Sequence, residues 1–256
     1  MAIPYVLDAA HLLADRAIRR GDLTIDATVG NGHDTLFLAR SVGPEGRVVG
    51  FDIQQGALNE TRRRVQADAP DTALHLIHAG HETMATHLAE NAYGTVSAVM
   101  FNLGYLPGGD HSVTTTPETT CPALDTSVEL LRPGGIITVV AYTGHEGGEE
   151  EAHAVESWAS ALPEASFRTL SYRFVNQPSD PPRHLIRQTG SDRSFCTAMR
   201  ISPPASQWRR GGADRWVGLR TDTRAFETMR RAGPTPTIQR RGLPPPHPRA
   251  RCRPRP

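Results

Sequence analysis

Short apolar runs alternate with amphipathic segments along the first 190 residues of the chain. In residues 5–20, apolar residues recur at helical spacing, which predicts a helix, and Gly21 is expected to end it. The apolar runs predict strands at residues 23–29, 46–53, 73–79, 96–103, 134–142 and 167–176. Helices are predicted between them at residues 33–42, 56–68, 82–92, 117–131 and 149–162. Strands separated by helices of this length indicate an α/β fold, in which helices cover both faces of a mostly parallel sheet.

The pattern changes after residue 190, where Pro, Gly and Arg replace the apolar runs. Residues 1–190 carry 13 Arg against 23 acidic residues, a net charge of −10, whereas residues 191–256 carry 15 Arg against 4 acidic residues, a net charge of +11. The second composition buries too little apolar surface to offset the entropy of the chain. We therefore predict a folded domain at residues 1–190 and a disordered Arg/Pro-rich tail at residues 191–256. The tail either has no function or acts as a nonspecific, salt-sensitive phosphate-binding arm.

Composition also argues against several classes of protein. No apolar run reaches the length of about 18 residues that a membrane-spanning helix needs. The first 20 residues include two aspartates and lack the apolar centre of a signal peptide. The three cysteines lie far apart in the sequence, which favours neither a disulfide framework nor a zinc ribbon. We expect a cytoplasmic protein with no membrane association.

A glycine-containing loop follows the first predicted strand, in the segment DATVGNGHD at residues 26–34. In parallel sheets ligands bind beyond the carboxyl ends of the strands, and Gly30 and Gly32 allow the backbone to approach a ligand closely there. The third glycine of a dinucleotide-binding fingerprint is replaced by Thr35, so the match to NAD binding is poor. Asp26 and Asp52 each lie at a predicted strand end. This arrangement favours S-adenosylmethionine, with Asp52 accepting hydrogen bonds from the ribose hydroxyls.

The third predicted strand is followed by the segment HAGHETM at residues 78–84. Gly80 and His81 are candidates to flank the adenine of the cofactor. A metal site formed by His75, His78 and His81 is the competing interpretation, but a spacing of three places these side chains on different faces of a strand. An ordinary surface loop is the third interpretation. We expect no metal.

The fourth predicted strand ends in an unusual segment, FNLGYLPGGD, at residues 101–110. Methyltransferases that act on the exocyclic amines of nucleobases carry an Asn/Asp-Pro-Pro-Tyr element at this strand end, and Asn102 and Tyr105 match its first and fourth residues. An amide or backbone oxygen accepting an amine N–H would aim the nitrogen lone pair, and an aromatic ring would hold the base by stacking. Fixing two reactants in this way can supply on the order of 7–11 kcal/mol. In the alternative interpretation Asn102 caps a turn and Tyr105 packs on the core.

Five segments together resemble one bacterial family, the YtqB/MnmM-like group once labelled as rRNA methylases: residues 25–39, 46–54, 101–110, 115–120 and 176–182. The resemblance covers residues 3–187. It implies the Rossmann-like, class I methyltransferase fold, a doubly wound and mostly parallel seven-stranded sheet. It also implies S-adenosylmethionine as the cofactor and tRNA as the partner. Separately from the resemblance, a homodimer is a candidate assembly. The implied reaction methylates the amine of 5-aminomethyl-2-thiouridine at the wobble position.

The resemblance also assigns roles to particular residues. Asn31 and Asp34 would contact the methionine end of the cofactor, Asp52 and Gln54 the ribose and the adenine edge, and His81 the adenine. Asn102 and Tyr105 would face the incoming amine. The substrate side would be lined by Leu106, Asp110, Thr116 and His145. The chain departs from the family at Thr143, where histidine is common, and at residues 183–190, which are more polar than the usual closing strand.

The expected amine nucleophile poses a chemical problem. An alkylamine resembles lysine, whose reference pKa is about 10.4, so deprotonation at neutral pH costs roughly 4 kcal/mol. An apolar wall of Leu103, Tyr105 and Leu106 would favour the neutral amine by desolvation. Candidate bases are Asp110, His111 and His145.

Three other points stay open from the sequence. A different RNA such as rRNA could be the substrate, the protein could be a nucleotide-dependent oxidoreductase, or it could bind RNA without catalysis.

The net charge of −10 on residues 1–190 should repel phosphates. Either arginines such as Arg168, Arg173 and Arg183 concentrate near the site, or a partner chain contributes positive charge.

Overall fold

A seven-stranded sheet forms the centre of the protein, in a computed structural model that describes residues 3–110, 112–174, 176, 183–189, 209–211 and 215–217. The strand order is β3-β2-β1-β4-β5-β7-β6, in which the first five strands are parallel and β7 runs antiparallel to both of its neighbours. The strands are β1 (Leu23–Asp26), β2 (Arg47–Asp52), β3 (Ala73–His78), β4 (Val96–Leu103), β5 (Leu131–Ala141), β6 (Phe167–Tyr172) and β7 (Arg183–Thr189). The predicted doubly wound, mostly parallel sheet is therefore confirmed.

Six α-helices in the described part of the chain cover the two faces of this sheet. They are α1 (Val6–Ala17), α2 (His33–Val42), α3 (Gln55–Asp68), α4 (Met84–His87), α5 (Pro117–Leu130) and α6 (Gly148–Ser160). Helix α2 packs against α1 and α3, and α5 packs against α4 and α6. The core lies between these layers and the central strands, and from Val96 to Phe101 every residue of β4 is buried.

The strand order reverses direction between β1 and β4, and this position determines where the loops meet. The Ala27 amide, just beyond β1, donates a hydrogen bond to the Met100 carbonyl of β4 at 2.8 Å. The amide of Asn102, two residues further along β4, donates to the Thr28 hydroxyl at 2.6 Å. The loops after β1 and β4 therefore begin side by side, at the switch point where doubly wound sheets bind ligands.

Two predicted helix boundaries are wrong. Residues 82–92 do not form one helix, because two short 3-10 turns (His81–Thr83 and Glu90–Ala92) flank the single turn of α4. Threonine hydroxyls in this segment bond to nearby backbone carbonyls, which competes with regular helix formation. Helix α1 ends at Ala17 rather than near Gly21, which instead has a φ of 87° in the turn before β1.

The polar segment after residue 182 does form a strand, β7, which pairs with β5 and β6. The proposed disordered tail, residues 191–256, lies outside the described residues apart from two short strands. These are β8 (Arg209–Gly211) and β9 (Arg215–Val217), an antiparallel pair that belongs to a separate unit of the chain, residues 192–249. Within the described residues, no helix has the length and apolar character needed to cross a membrane.

Candidate active site at the switch point of the sheet

The loop after β1 is a tight glycine turn that leads directly into α2. Gly30 has a φ of 49° and Gly32, the residue before α2, has a φ of 76°, a region that favours glycine. A Cβ at position 32 would lie 2.4 Å from the Thr61 hydroxyl oxygen, and that hydroxyl donates a hydrogen bond to the Gly30 carbonyl at 3.2 Å. The turn is therefore pressed against α3, and half-buried Asn31 lies between the two glycines.

Asp52 connects the end of β2 to this turn. Its Oδ2 accepts a hydrogen bond from the Gly30 amide at 2.8 Å, and its Oδ1 accepts one from the Gln54 amide at 2.7 Å. A carboxylate has about four acceptor positions, so the half-buried Asp52 retains capacity for two ribose hydroxyls. Ile53 beside it is 54% exposed and offers apolar surface to a base.

Asp26 is fully buried beneath the glycine turn, although the sequence predicted it as a cofactor contact. Its carboxylate accepts hydrogen bonds from the Thr28 amide at 3.1 Å and from the Thr35 hydroxyl at 2.5 Å. Burial, and next the negative charge of Asp34, raise the pKa of Asp26 to about 7. The structure thus gives Asp26 a role in holding the turn, and direct contact with a cofactor stays a prediction.

His81 is also buried rather than open to a ligand. Its Nδ1 donates to the Ala27 carbonyl at 3.1 Å, and its ring meets Phe101 edge-to-face with centroids 5.6 Å apart. Burial lowers the pKa of His81, which favours the neutral ring. Gly80 precedes it, and a Cβ there would contact the Glu82 carboxylate. Contact of His81 and Gly80 with an adenine stays a prediction.

A chain of three side chains fixes the amide of Asn102 at the end of β4. The Asn102 Nδ2 donates to Asp34 Oδ2 at 2.6 Å, and His11 Nε2 donates to Asp34 Oδ1 at 2.7 Å. The His11 ring stacks on Phe37, with centroids 4.1 Å apart and planes 3° from parallel. Because Asp34 accepts from the amide nitrogen, Asn102 Oδ1 points the other way. That oxygen is buried and finds no hydrogen-bond partner among the described residues.

Tyr105, Leu106 and His145 lie together around Gly104. The Tyr105 and His145 rings meet edge-to-face with centroids 5.7 Å apart, and a Cβ at Gly104 would lie 3.4 Å from His145 Nε2. His145 Nδ1 donates to the Glu146 carbonyl at 2.9 Å, which leaves a lone pair on Nε2. Nε2 is buried and has no hydrogen-bond partner in the described part of the chain. Leu106 reaches across to the first loop, 3.4 Å from where a Cβ of Gly30 would lie.

Other predicted substrate residues have structural partners. Asp110 Oδ1 accepts from the amide and the hydroxyl of Ser112, at 2.9 and 2.8 Å, in an exposed turn. Thr116 is the residue before α5 and forms a capping box with Thr119. Leu103 is fully buried in the core, so Tyr105 and Leu106 remain to form an apolar wall. His111 lies outside the described residues.

The positions of the three named arginines follow from the strand order. Arg168 lies near the start of β6 and therefore at the opposite edge of the sheet from Asn102, whereas Arg173 follows the end of β6, on the edge where β4 also ends. The side chain of Arg183 lies outside the described residues. The first electrostatic explanation requires these arginines to lie near the site. Of Arg168 and Arg173, only Arg173 lies at the end of the sheet where β4 ends and the site is formed.

Sequence reasoning missed three side chains that shape the site. His11 lies on α1 at a spacing typical of an amphipathic helix, and Glu151 lies in an acidic helix start that the helix dipole alone would explain. Tyr142 follows β5, is 38% exposed and has a pKa raised by burial and then by the charge of Asp34. Tyr142 is the last residue of the strand predicted at residues 134–142, so an aromatic side chain at the carboxyl end of a buried strand was the signal available for it.

The described residues contain no group of three or more His, Cys, Asp or Glu side chains placed to hold a metal ion. The site instead combines a glycine turn, a carboxylate at a neighbouring strand end and two buried acceptor atoms without partners. The glycine turn and the carboxylate of Asp52 fit an adenosine-containing ligand, and an unpaired acceptor fits a ligand that donates hydrogen bonds.

This strand order and this pair of loops are those of the Rossmann-like class I methyltransferases, whose cofactor is S-adenosylmethionine. The chain belongs to the family described as "Putative rRNA methylase", whose model matches residues 48–188.

Three similar proteins illustrate this relationship. The chain is 38% identical over 182 residues to the chloroplastic tRNA (mnm(5)s(2)U34)-methyltransferase of Arabidopsis thaliana, an alignment that covers 68% of this chain and 66% of that protein. The crystal structure of a "putative rRNA-methylase" from Clostridium thermocellum is 41% identical, with a TM-score of 0.70, and covers 74% of this chain and 100% of that one. A "putative methyltransferase" from Streptococcus mutans, crystallised with SAH, is 31% identical, with a TM-score of 0.65, and covers 73% of this chain and 99% of that one. The chain thus spans just under two thirds of the Arabidopsis relative.

Proposed function

We propose that this protein is an S-adenosylmethionine-dependent N-methyltransferase of tRNA that methylates the amine of 5-aminomethyl-2-thiouridine at the wobble position. The Arabidopsis relative carries this activity in its name. The observation that carries the proposal here is the pair of buried acceptors, Asn102 Oδ1 and His145 Nε2, that flank the loop after β4.

Two acceptors suit an amine better than a hydroxyl. A neutral primary amine has two N–H donors and one lone pair, whereas a hydroxyl has one donor. If Asn102 Oδ1 and His145 Nε2 each accept one N–H, both donors of the amine are used and its lone pair is left free to attack. S-adenosylmethionine, when bound, would supply an electrophilic methyl group on sulfur, and the N–C bond would form as the S–C bond breaks and the thioether leaves.

His145 is also placed to accept the surplus proton of the amine. The free amine is protonated at neutral pH, with a reference pKa of about 10.4. Because Nδ1–H donates to the Glu146 carbonyl, Nε2 carries the lone pair and can take a proton from the ammonium group as it arrives. That proton must then pass to solvent, so that Nε2 is again an acceptor when the neutral amine is held for methyl transfer. Tyr105 and Leu106 form an apolar wall that disfavours the charged amine. His145 and this wall thus both favour the neutral, nucleophilic form of the amine.

The direct test is single-turnover methylation of an anticodon stem-loop that carries 5-aminomethyl-2-thiouridine. We expect methylaminomethyl product by mass spectrometry, and none from the matched unmodified stem-loop. Product from neither RNA, or from both equally, would overturn the proposal. The same measurement of wobble uridines in a deletion strain extends the test to the cell.

The role of His145 is tested by comparing its variants as the pH changes. His145→Ala should lower the neutral single-turnover rate by about 100-fold, the typical effect of a general base. The deficit should shrink as the pH approaches the pKa of the amine, about 10.4. His153→Ala, which removes an exposed histidine of α6, is the matched control. A wild-type rate that stays flat from about pH 6 to about pH 9 would contradict both the base and the desolvation.

A second substrate class has specific support. Over 106 residues the chain is 39% identical to the ribosomal RNA small subunit methyltransferase H of Frankia alni, although this alignment covers only 32% of that protein. Methylation of isolated small-subunit rRNA in place of the stem-loop would favour this alternative.

The proposal also includes the cellular location and the oligomeric state of the protein. We infer a cytoplasmic enzyme, although the Arabidopsis relative is chloroplastic. We also infer a homodimer, in which each copy would bring the net charge of +11 of its residues 191–256 together with the −10 of its residues 1–190. Light scattering after gel filtration, with and without tRNA, measures the oligomeric state.

A further inference from the structure

Glu151 is a buried carboxylate that the proposed reaction does not use. It lies in the first turn of α6 and is 1% exposed, while its neighbours Glu149 and Glu150 are exposed. Its Oε2 accepts a hydrogen bond from the Thr115 hydroxyl at 2.7 Å, and its Oε1 accepts one from the Thr120 hydroxyl at 2.6 Å. A buried carboxylate is costly unless it is fully hydrogen-bonded, so both contacts matter.

The first contact leads directly to the loop after β4. The Thr115 hydroxyl accepts a hydrogen bond from the Gly104 amide at 2.9 Å, and the Thr115 amide donates to the Gly104 carbonyl at 3.1 Å. Both backbone groups of Gly104 are therefore held by one threonine, whose hydroxyl proton is committed to Glu151. Gly104 lies between Asn102 and Tyr105, so its position sets the distance and angle between them.

The second contact leads towards the loop after β1. The Thr120 hydroxyl oxygen lies 3.4 Å from His81 Nε2, a packing contact, because the hydroxyl proton is donated to Glu151. His81 Nδ1 in turn donates to the Ala27 carbonyl at the start of the glycine turn. The carboxylate of Glu151 thus lies between two backbone segments: it is hydrogen-bonded to the substrate loop through Thr115, which precedes α5, and is in contact with the cofactor loop through Thr120 of α5.

We infer that Glu151 is a positioning residue for methyl transfer: through Thr115 it fixes the backbone at Gly104 and thereby the placement of Asn102 and Tyr105 against the amine. This inference rests on the proposed function. Burial raises the pKa of Glu151, and the hydrogen bonds from the Thr120 and Thr115 hydroxyls oppose this rise, as expected of a carboxyl enclosed by these partners. The acidic Glu118 of α5 acts in the same direction as burial.

Thr115 offers the cleanest test, because valine has nearly the shape of threonine and lacks the hydroxyl. Thr115→Val should lower kcat by about 10-fold or more, as expected for a small misplacement of reacting groups, with the KM for S-adenosylmethionine within about 2-fold of wild type. Thr115→Ser keeps the hydroxyl and should recover most of the rate. Glu151→Gln should fall between wild type and Thr115→Val, because an amide can accept only one of the two hydroxyl bonds. Glu150→Gln, the same change at an exposed position of α6, is the matched control.

A second measurement does not depend on activity. Hydrogen–deuterium exchange of the free protein should show faster exchange at residues 103–106 in Thr115→Val and Glu151→Gln, with unchanged exchange in Glu150→Gln. The double variant should be no slower in catalysis than the worse single variant if both act through one contact. Wild-type exchange and kcat in Thr115→Val would overturn the inference. If wild type fails to methylate the modified stem-loop, the proposed function is overturned. The exchange measurement would still show whether the Thr115–Glu151 hydrogen bond fixes the backbone at Gly104.

Discussion

Asp34 Oδ2 lies 2.6 Å from Asn102 Nδ2, and this contact determines which end of the Asn102 amide faces the site. A carboxylate accepts hydrogen bonds and cannot donate them when ionised, so it binds the amide nitrogen and turns the amide oxygen away. Helix α1 supports the contact through His11, which donates to the other Asp34 oxygen at 2.7 Å. The acceptor proposed to hold the amine is therefore oriented by residues from α1 and α2.

The first prediction concerns this orientation. Asn102→Ala should lower the single-turnover rate by about 100-fold, because the amine loses the acceptor that aims its lone pair. Asp34→Ala should also lower the rate, because the amide of Asn102 is then free to rotate. His11→Gln, which can still donate to Asp34, should be less impaired than His11→Ala. Rapid-quench measurements give these rates, and equal rates for the two His11 variants would contradict the arrangement.

The second prediction assigns Tyr142 to the substrate base. Its side chain is 38% exposed, and a Cβ at Gly104 would lie 3.5 Å from Tyr142 Cβ, so it borders the loop after β4. Stacking of a base on an aromatic ring contributes about 1–3 kcal/mol, so Tyr142→Ala should raise the KM for RNA by about 10-fold. Tyr142→Phe keeps the ring and should resemble wild type. Leu170→Ala removes a comparably exposed apolar side chain on β6 and serves as the control.

The sequence predicted those parts of the site that end a hydrophobic run. Asp52 and Asn102 are recognisable because a polar residue follows a buried strand, and parallel strands bring their ends to one edge of the sheet. His11 and Glu151 were not recognisable, because each occupies a helix position whose sequence alone suggests a solvated face. The helix predicted at residues 82–92 was wrong because hydrogen bonds from threonine hydroxyls to nearby carbonyls favour short turns there. The spacing of apolar residues does not reveal such bonds.

The third prediction concerns cofactor affinity. Asp52→Ala removes the carboxylate that accepts from Gly30 and would accept from the ribose, and hydrogen bonds to charged groups contribute about 1.5–3 kcal/mol. We therefore expect the Kd for S-adenosylmethionine to rise by about 10-fold to 100-fold in isothermal titration calorimetry. Asp71→Ala, at an exposed position before β3, should leave the Kd unchanged. Equal affinity of wild type and Asp52→Ala would remove Asp52 from the cofactor site.

The fourth prediction concerns the glycine turn. Gly32→Ala places a Cβ 2.4 Å from the Thr61 hydroxyl oxygen at a φ of 76°, so it should lower the free energy of unfolding by more than about 2 kcal/mol. Gly56→Ala, in α3 with open space around its Cα, should instead be neutral or slightly stabilising. Urea denaturation measures both changes. If Gly32→Ala cost as much stability in a Thr61→Ala background as in wild type, the contact with Thr61 would not be the cause.

The fifth prediction follows from the buried Asp26. Its pKa is raised from 3.8 to about 7, mainly by burial, so the folded protein binds a proton that the unfolded chain releases between these values. The free energy of unfolding falls with rising pH wherever the folded state binds more protons. The contribution of Asp26 to stability is therefore fully present below about pH 4 and is lost as the pH rises through about 7. Asp26→Asn cannot ionise, so the stability of wild type relative to Asp26→Asn should decline across this window in urea denaturation. A constant difference between wild type and Asp26→Asn across this window would show that Asp26 is already ionised in the folded protein.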